Sequence, residues 1–482
     1  MLFTKKNEGS NINFSFVKVY IENMESNSGR HLKKEEIIKI GQSIVGKTFG
    51  QLGYLEWAKN NVGGKGSLGE FVEERVYGYP KNNIAEADFA DVGIELKVAG
   101  LKYDELHHKW ICKERLVLSM IDYMTICNTT FEESAFYKKN RQLFVIFYLY
   151  KDDQPVEYFP IVAAEMIKLD PGEEFVIQYD WKTIADKVKA GEADKLCEGD
   201  TLYLLACEKG ASKETTRPQP FSPTPAIQRA FSYKSTFVTR LVNRVLPKGT
   251  TPESIVKSAN ELVGTSLLSL IEDKLKAFYG LTEQQLKLSC GIDSSAKNVD
   301  SMIIYHLLGL DNEDSDDEIS AAGIQLKMVV LEPSGVLKES MSFPTFRFTD
   351  VAKIPFEESE IRSIFLNSRF LFVVWQKTES GEKILRRCKF WNMPYEDVEK
   401  HVRPVYGKMA TLLNTGTIIG DDGVSNTFPK MSDDEVCHVR PHGRNKNDVL
   451  PLPVPDKKTG IKAYTKSCFW LGHLYIKKNI ED

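Results

Sequence analysis

Within ADFADVGIELKV (87–98), apolar and polar residues alternate from Val92 to Val98, and this alternation is typical of a half-buried β-strand. The alternation predicts that Glu95 and Lys97 lie on one face of the strand. Asp88 stands just before the strand, close enough for its carboxylate to reach the same place. The apolar residues that would form the other face are Val92, Ile94, Leu96 and Val98.

Patterns elsewhere in the chain predict further helices and strands. A helical pattern begins near Lys33 and runs to residue 52, and a short helix is predicted over residues 67–78. LFVIFYLY (143–150) is almost entirely apolar, as expected for a strand buried on both faces. DTLYLLACEK (200–209) predicts another strand. We therefore expect an α/β (α+β) fold in which a mixed central β-sheet is flanked by helices.

The pattern of the first half of the chain recurs in the second half. Five segments have later counterparts in the same order: IVGKTFGQL (44–52) and LVGTSLLSL (262–270), VGIELKV (92–98) and AGIQLKM (322–328), FEES (131–134 and 356–359), LFVIF (143–147) and LFVVW (371–375), and Arg217-Pro218 and Arg440-Pro441. The offsets are 218, 230, 225, 228 and 223 residues. We interpret the chain as two tandem copies of one domain. The predicted division is an N-terminal extension (1–32), a first domain (33–245), a linker (246–254) and a second domain (255–482).

The second copy does not keep the acidic residues of the first. Gln325 has the size of glutamate without its charge, so the second copy is expected to hold a divalent cation poorly. A chain with one catalytic and one non-catalytic copy would show this difference. The corresponding pairs are Asp88 and Glu318, Glu95 and Gln325, Glu73 and Ile304, and Lys97 and Lys327.

Composition limits the function only broadly. The 482 residues carry a formal net charge of −4, so a nucleic-acid-binding surface would need its positive charge concentrated locally. No apolar run approaches the roughly 18 residues of a membrane span, and the first residues lack the apolar core of a signal peptide. The eight cysteines form no CxxC pair, so neither a zinc site nor a disulfide framework is indicated. We expect a cytoplasmic protein without membrane association.

The residues before and within the first strand pattern can support phosphodiester cleavage. Two carboxylates and a lysine at a strand end could hold Mg²⁺, with the amine beside a metal-bound water. An aspartate followed by Glu-x-Lys is also common by chance, so the motif alone establishes no site. The acidic run Asp311–Glu318 could bind a metal as well, but a solvated loop is the favoured interpretation. Arg403-Pro404 lies in a helical pattern and is interpreted as structural.

Several motifs follow one another in the first half: GSLGEFVEERVYGY (66–79), ADFADVGIELKV (87–98), KERLVL (113–118), a late Arg-Pro motif and FSYK (231–234). This ordered set resembles the MutH family of the PD-(D/E)xK nucleases, which comprises a mismatch-repair nicking endonuclease and GATC-cutting type II restriction enzymes. The resemblance covers roughly residues 36–245, and a degenerate form recurs over 255–482. Such a duplicated chain is similar to the Sau-type restriction endonucleases.

The resemblance implies roles for individual residues near the metal. Lys97 would be the catalytic lysine, and Glu73 matches the family's helix glutamate near the metal site. Lys113 matches a lysine that follows the metal strand and faces the scissile phosphate. The Mg²⁺ ligands would be Asp88, Glu95 and the carbonyl of Leu96.

The resemblance also implies DNA contacts in both halves. Arg217 matches an arginine that reads bases, although the family's Arg-Pro-Lys triplet is here Arg-Pro-Gln. A rigid connector is the alternative interpretation of the proline-rich loop around Arg217. The lysines are expected to touch phosphates, which position DNA without reading it. The predicted DNA-binding residues are Arg217, Gln219, Tyr233 and Lys234 in the first copy and Arg440, His442, Lys477 and Lys478 in the second.

The resulting hypothesis is a Mg²⁺-dependent type II restriction endonuclease of the bacterial cytoplasm that cuts double-stranded DNA at GATC or a related site. The second copy would bind a second DNA site as an allosteric effector, and dimerisation on DNA is left open. One alternative is a MutH-like nickase acting on hemimethylated sites, which the doubled chain argues against. The other alternative is a catalytically silent DNA-binding regulator, which the acidic residues of the first copy argue against.

Overall fold

The computed structural model of the protein describes residues 31–61, 67–79, 86–210, 215–247, 253–294, 296, 298–310 and 317–481. Most of the predicted N-terminal extension, most of the predicted linker and residues 311–316 of the acidic run lie outside the described residues.

Helices and strands are interspersed along the whole described chain, and the predicted mixed α/β class is confirmed. The α-helices are α1 (Lys34–Ser43), α2 (Tyr54–Asn60), α3 (Ser67–Phe71), α4 (Tyr123–Ile126), α5 (Ala135–Asn140), α6 (Pro171–Lys189), α7 (Ser235–Val245), α8 (Leu267–Lys276), α9 (Glu283–Ser289), α10 (Val299–Leu307), α11 (Glu318–Ala321), α12 (Phe348–Lys353), α13 (Glu360–Asn367), α14 (Tyr395–Asp397), α15 (Arg403–Thr415) and α16 (His473–Glu481). The strands are β1 (Glu95–Asp104), β2 (Lys109–Cys112), β3 (Leu116–Met120), β4 (Leu143–Leu149), β5 (Ile161–Ile167), β6 (Leu204–Glu208), β7 (Thr216–Gln219), β8 (Ser222–Ile227), β9 (Arg229–Tyr233), β10 (Ile324–Leu331), β11 (Met341–Phe346), β12 (Arg369–Lys377), β13 (Lys383–Trp391), β14 (Cys437–Pro441), β15 (Val449–Pro451), β16 (Ala463–Thr465) and β17 (Ser467–Leu471). Two π-helical segments, Val72–Val76 and Val398–Val402, adjoin α-helices.

The chain divides into two compact units. The described residues of the first unit lie within 1–119, 128–170 and 238–251, and those of the second within 120–127, 171–237 and 252–482. These units do not test the predicted division of the sequence into two tandem copies, which stays a prediction.

A four-stranded mixed sheet forms the centre of the first unit, in the order β2-β1-β4-β5. β1 and β4 run parallel, with Glu95 opposite Leu143, and β5 runs antiparallel to β4. The predicted strand at 143–150 is confirmed, since Leu143–Phe147 of β4 are all buried. Helix α1 packs its buried Ile37 into the core on one face of this sheet, together with Ile94 and Leu96.

The first helix is shorter than its sequence pattern predicts. It ends at Ser43 because the following backbone pairs with the segment entering β5 instead of continuing the helix. The amide of Gly46 donates to the carbonyl of Ile161, and the amide of Ile161 donates to that of Lys47, both at 2.8 Å. Gly46 takes a φ of +87°, which an L side chain adopts only at a cost. Ile44 and Phe49, which follow the helix, are therefore buried from non-helical chain.

The sheet at the centre of the second unit has the order β10-β12-β13 and the same connectivity as β1, β4 and β5. β10 runs parallel to β12, and β13 runs antiparallel to β12. Gln325 lies opposite Phe370, as Glu95 lies opposite Leu143. The offset is thus 325 − 95 = 230 residues on one strand and 370 − 143 = 227 on its partner. The motif comparison of LFVIF with LFVVW, which gave 228, is wrong by one residue because apolar runs match by composition in either register.

The second unit also contains smaller antiparallel sheets. β17 lies between β11 and β14, and β15 pairs with β16. β6 pairs with β9, which confirms a strand within the predicted segment 200–209, and β7 pairs with β8. In the parts of the chain that the structure describes, no helix is long and apolar enough to cross a membrane.

A histidine on β14 is buried without hydrogen bonds. His438 lies opposite Trp470 of β17, and neither of its ring nitrogens has a partner among the described residues. Burial, and next the charge of Arg440, lower the pKa of His438 to about 4. Because an unpaired polar group in the interior is unfavourable, the neutral ring is tolerated and the charged ring is not.

We expect His438→Leu to make the second unit less sensitive to acid. Above about pH 6.5 the histidine is neutral in both the folded and the unfolded chain. Below that pH only the unfolded chain takes up the proton, so the free energy of unfolding falls until the pH approaches 4, by about 2 kcal/mol near pH 5. Urea denaturation of both proteins at about pH 7.5 and about pH 5 measures the difference. Equal acid sensitivity of the two proteins would contradict the assignment.

Candidate active site

A tight turn brings Asp88 back beside the start of β1. Residues Ala90–Val92 form a 3₁₀ turn, and Gly93 follows with a φ of +64°. The turn closes with the amide of Phe89 donating to the carbonyl of Ile94 at 2.9 Å. As a result, the strand begins at Glu95 rather than at Val92. The glycine is required here because L side chains rarely adopt this backbone conformation.

The carboxylates of Asp88 and Glu95 are tied together through the main chain. The amide of Leu96 donates to Asp88 Oδ2 at 2.9 Å, and the amide of Asp88 donates to Glu95 Oε2 at 3.1 Å. These reciprocal hydrogen bonds hold both carboxylates at one end of β1. The predicted approach of Asp88 to the strand is confirmed.

Glu95 is buried, with 2% of its surface exposed, and Lys97 neutralises it. Lys97 Nζ lies 2.6 Å from Glu95 Oε1, so the two side chains share one face of the strand as predicted. Burial raises the pKa of the Glu95 carboxyl, and the ammonium of Lys97 opposes that rise. The polar face of β1 is therefore buried at Glu95, although the alternation alone indicated a face exposed to solvent.

A second lysine reaches the same carboxylate, and the sequence analysis missed it. Lys139 Nζ lies 3.6 Å from Glu95 Oε1, and 18% of the Lys139 side chain is exposed. Lys139 lies near the end of α5, and the chain then enters β4 beside β1, where the amide of Glu95 donates to the carbonyl of Gln142. The sequence signal that could have indicated Lys139 is its position just before the apolar run of β4, the strand that pairs in parallel with β1.

Lys113, which the resemblance placed at the scissile phosphate, lies elsewhere in the first unit. It follows β2, its ammonium pairs with Glu114 at 2.9 Å, and it stands 3.7 Å from the centre of the Tyr150 ring. Among the described residues no hydrogen bond or ion pair joins Lys113 to Asp88 or Glu95. The structure thus brings Lys139, and not Lys113, into contact with the carboxylate.

Glu73 lies within the electrostatic reach of the carboxylates. It belongs to the π-helical segment that continues α3, while its neighbours Phe71 and Val72 are buried in the core. Burial, and next the charge of Asp88, raise the pKa of the Glu73 carboxyl to about 7. A π-helical bulge is frequent at functional sites because it re-aims side chains of a helix.

The donor atoms at this end of β1 suit a magnesium ion that shares its ligands with a substrate. No group of three or more His, Cys, Asp or Glu side chains is arranged to hold a metal within the described ranges. Mg²⁺ is commonly bound through one or two carboxylates, with phosphate and water oxygens completing its shell. Asp88 and Glu95 provide two carboxylate oxygen donors, and Leu96, which directly follows Glu95, donates its amide to Asp88. The residues present therefore fit such an ion.

The predicted DNA-binding residues of the first copy have different environments. The segment around Arg217 was predicted to be a loop and is a β-hairpin of β7 and β8, because its prolines lie on strands that pair with only one neighbour. Arg217 is exposed and donates to Gln228. Gln219 is buried and bonds to Ala193, Asp194 and Thr224.

Tyr233 and Lys234 follow one another at the end of β9 and are both buried. The Tyr233 ring packs edge-on against Phe237, and Lys234 Nζ donates to the carbonyl of Ala322 at 2.9 Å. Burial lowers the pKa of Lys234 to about 8, against the charge of Asp180. Contacts of these two residues with DNA stay predictions.

The predicted DNA-binding residues of the second copy are more accessible. Arg440 and His442 are exposed and flank the Trp470 ring, with the guanidinium 5.4 Å and the imidazole 5.3 Å from its centre. Lys478 is exposed on α16, whereas Lys477 donates to the carbonyl of Gly335. Arg440 and His442 belong to the basic segment RPHGRNK (440–446).

Two further sequence interpretations can be compared with the structure. Arg403 lies at the start of α15 and pairs with Glu399 and Glu357, so its predicted helical position is confirmed. Asp317 and Glu318, at the end of the acidic run, are buried rather than solvated. The solvated-loop interpretation is wrong for these two residues because their carboxylates accept main-chain hydrogen bonds.

Comparison with known proteins agrees with this geometry. The family model described as DNA mismatch repair enzyme MutH matches residues 77–180. The chain is 31% identical over 489 residues to the type II restriction enzyme Sau3AI of Staphylococcus aureus, with 94% of this chain and 99% of that enzyme covered. The chain therefore belongs to the MutH-like family of type II restriction endonucleases, and the predicted resemblance is confirmed. It is a site-specific deoxyribonuclease whose substrate is double-stranded DNA.

We expect Lys139→Met to slow DNA cleavage by about 10²-fold, since one charged donor at a reacting phosphate contributes about that much. Methionine keeps the length of the side chain and removes its charge. The measurement is single-turnover cleavage of a plasmid, with circular dichroism as a check of folding. Lys138→Met is the matched control, because Lys138 is the exposed neighbour on the same helix. Equal rates for both variants would exclude a role of Lys139 in cleavage.

Proposed function

We propose that the protein is a Mg²⁺-dependent restriction endonuclease that hydrolyses double-stranded DNA at GATC or a closely related site. We further propose that its first copy cleaves while its second copy binds another site and promotes cleavage. The observation that carries the proposal is the convergence of Asp88, Glu95, Lys97 and Lys139 at one end of β1.

Asp88, Glu95 and the carbonyl of Leu96 are the groups that would hold the metal. When bound, Mg²⁺ would supply positive charge to the phosphate and make water more acidic. The ammonium groups of Lys97 and Lys139 balance the buried charge of Glu95. In this proposal the two lysines lie beside the phosphate, whose oxygens gain negative charge during hydrolysis.

Lys97 and Lys139 have separate tasks in this proposal. Lys97 is bonded to Glu95 and orients the attacking water beside the phosphate. Lys139 approaches the same carboxylate oxygen from α5 and donates to a phosphate oxygen as charge develops there. Burial and the charge of Asp88 raise the pKa of the Glu73 carboxyl to about 7. In this proposal Glu73 orients groups near the metal site.

Arginine side chains carry the proposed recognition of bases. Arg217 and Arg440 are exposed near the ends of paired strands, and a bidentate arginine contact to guanine distinguishes it from other bases. Lys478 and the other accessible basic side chains contact phosphates. A strand-specific nickase remains the second candidate, but the full-length similarity to a type II restriction enzyme favours double-strand cleavage.

The proposed task of the second copy is supported by its sheet and its surface. Its sheet repeats the connectivity and register of the first, yet Gln325 stands where Glu95 stands. At the same time the exposed side chains of Arg440 and His442 lie beside the half-buried ring of Trp470 at the end of an antiparallel sheet. A copy with a nuclease fold, no acidic pair and accessible basic residues suits DNA binding without cleavage.

We expect Glu95→Gln to abolish cleavage in Mg²⁺ while specific DNA binding is retained. The substitution keeps the size of the side chain but removes the charge that holds the ion and pairs with both lysines. Cleavage is followed on a plasmid, and binding is followed by fluorescence anisotropy with a short duplex. Glu56→Gln, which changes an exposed carboxylate of α2, serves as control. Cutting by Glu95→Gln at the wild-type rate would refute the site.

We expect plasmids with two recognition sites to be cut faster than plasmids with one. A short duplex containing the site, added in trans, should restore fast cutting of the one-site plasmid because it occupies the second copy. The assay compares initial rates over a range of duplex concentrations, with a duplex of scrambled sequence as control. If the specific duplex never accelerates cleavage, the effector task of the second copy is wrong while the cleavage task of the first still stands.

A further inference from the structure

Lys327 occupies in the second unit the position that Lys97 occupies in the first. Lys97 lies opposite Val145 and Lys327 opposite Phe372, and these pairs have the same offsets as Glu95–Leu143 and Gln325–Phe370. Lys327 is two residues after Gln325, so both side chains lie on one face of β10. The strand thus presents its lysine at the same place in the sheet.

The groups that would compensate this lysine are gone from the second unit. Glu318, the counterpart of Asp88, turns its carboxylate to the amides of Ile255 and Val256 and to the hydroxyl of Ser254. Gln325 is exposed and donates to Ser368, and Ile304, the counterpart of Glu73, is fully buried. No acidic side chain has taken their place beside the lysine among the described residues.

Lys327 is held by aromatic rings instead of by an acid. Its Nζ lies 5.2 Å from the centre of the Phe343 ring and 5.8 Å from that of Phe370. The ammonium group has three N–H donors, and none of them has a hydrogen-bond or ion-pair acceptor within the described residues. Burial lowers the pKa of Lys327, and no neighbouring carboxylate counteracts this shift. A half-buried cation with unused donors is a site for an anion.

The alternative is that the two rings alone account for the lysine. Aromatic rings attract a cation, but they do not provide the hydrogen-bond acceptors that a half-buried ammonium group needs. A methionine or leucine would fill the same space without the cost of partly burying a charge. The charge is therefore useful only if a negative group from outside the described residues reaches it.

We propose that Lys327 binds a backbone phosphate of a DNA duplex held by the second copy, so that the place of the lost reaction centre now serves as a phosphate-binding site. The inference rests on the proposed binding of a second DNA site. A phosphate at this position would meet a cation without competing carboxylates, and without the acidic pair it would not be cleaved. In the first unit the same lysine is committed to Glu95.

The test is the acceleration of one-site plasmid cleavage by a short specific duplex in trans, measured with the full-length protein at several salt concentrations. We expect Lys327→Met to raise the half-maximal duplex concentration about tenfold, as for one charged hydrogen bond. The slope of its logarithm against that of the salt concentration should decrease by about 0.9, as for one phosphate contact. Lys327→Arg should restore both values. Lys338→Met is the control, because Lys338 is exposed and already paired with Glu332.

Each outcome supports or overturns the inference. If the duplex does not accelerate the wild-type protein, the effector proposal fails and this inference fails with it. If the wild type is accelerated and Lys327→Met behaves identically, only this inference is overturned. A weaker effect of the duplex with an unchanged salt slope, in both the Met and Arg variants, would show a packing role and overturn it too. Should thermal denaturation show that the Met variant is unfolded, Lys327→Gln is measured in its place.

Discussion

The buried carboxylate of Glu95 is the constraint on which the first unit depends. A charge in the interior is unfavourable unless it is paired and hydrogen-bonded, so every element that meets at this end of β1 supplies a compensating group. The 3₁₀ turn brings in the amide of Asp88, the strand itself brings Lys97, and α5 brings Lys139. The contacts that compensate the buried charge are therefore the same contacts to which the proposed catalysis is assigned.

The second unit shows what the fold needs when this charge is absent. Its parallel pair of strands keeps the register of the first, and its core is built from the same kinds of residue. Gln325 can be exposed because it carries no charge that must be neutralised. The sheet is thus independent of the acidic residues, whereas the acidic residues depend on the sheet for their geometry. This asymmetry is consistent with the proposal that the second copy keeps the fold without the acidic residues.

The sequence predicted the site well where periodicity and local spacing determine it. The shared face of Glu95 and Lys97 follows from the two-residue period of a strand, and the approach of Asp88 follows from a few residues of turn. Lys139 could not be found this way, because its contact depends on the parallel pairing of two distant strands. For the same reason the apolar run LFVVW was aligned one residue out of register. The burial of Lys234 and Gln219 likewise depends on tertiary packing that no short motif encodes.

Under the proposed duplication, the position of Glu318 has a consequence for how the chain can evolve. Its carboxylate now closes the hydrogen bonds of the segment that enters the second unit. Returning it to a metal would leave the buried amide of Ile255 and the half-buried amide of Val256 without this acceptor, and an unsatisfied buried donor costs about 1–3 kcal/mol. Reversion of Gln325 to glutamate would therefore not restore an acidic pair. Because Glu318 now has a structural role, the arrangement proposed for the first copy is harder to regain in the second. Each further substitution around Glu318 that relies on this role would increase the difficulty.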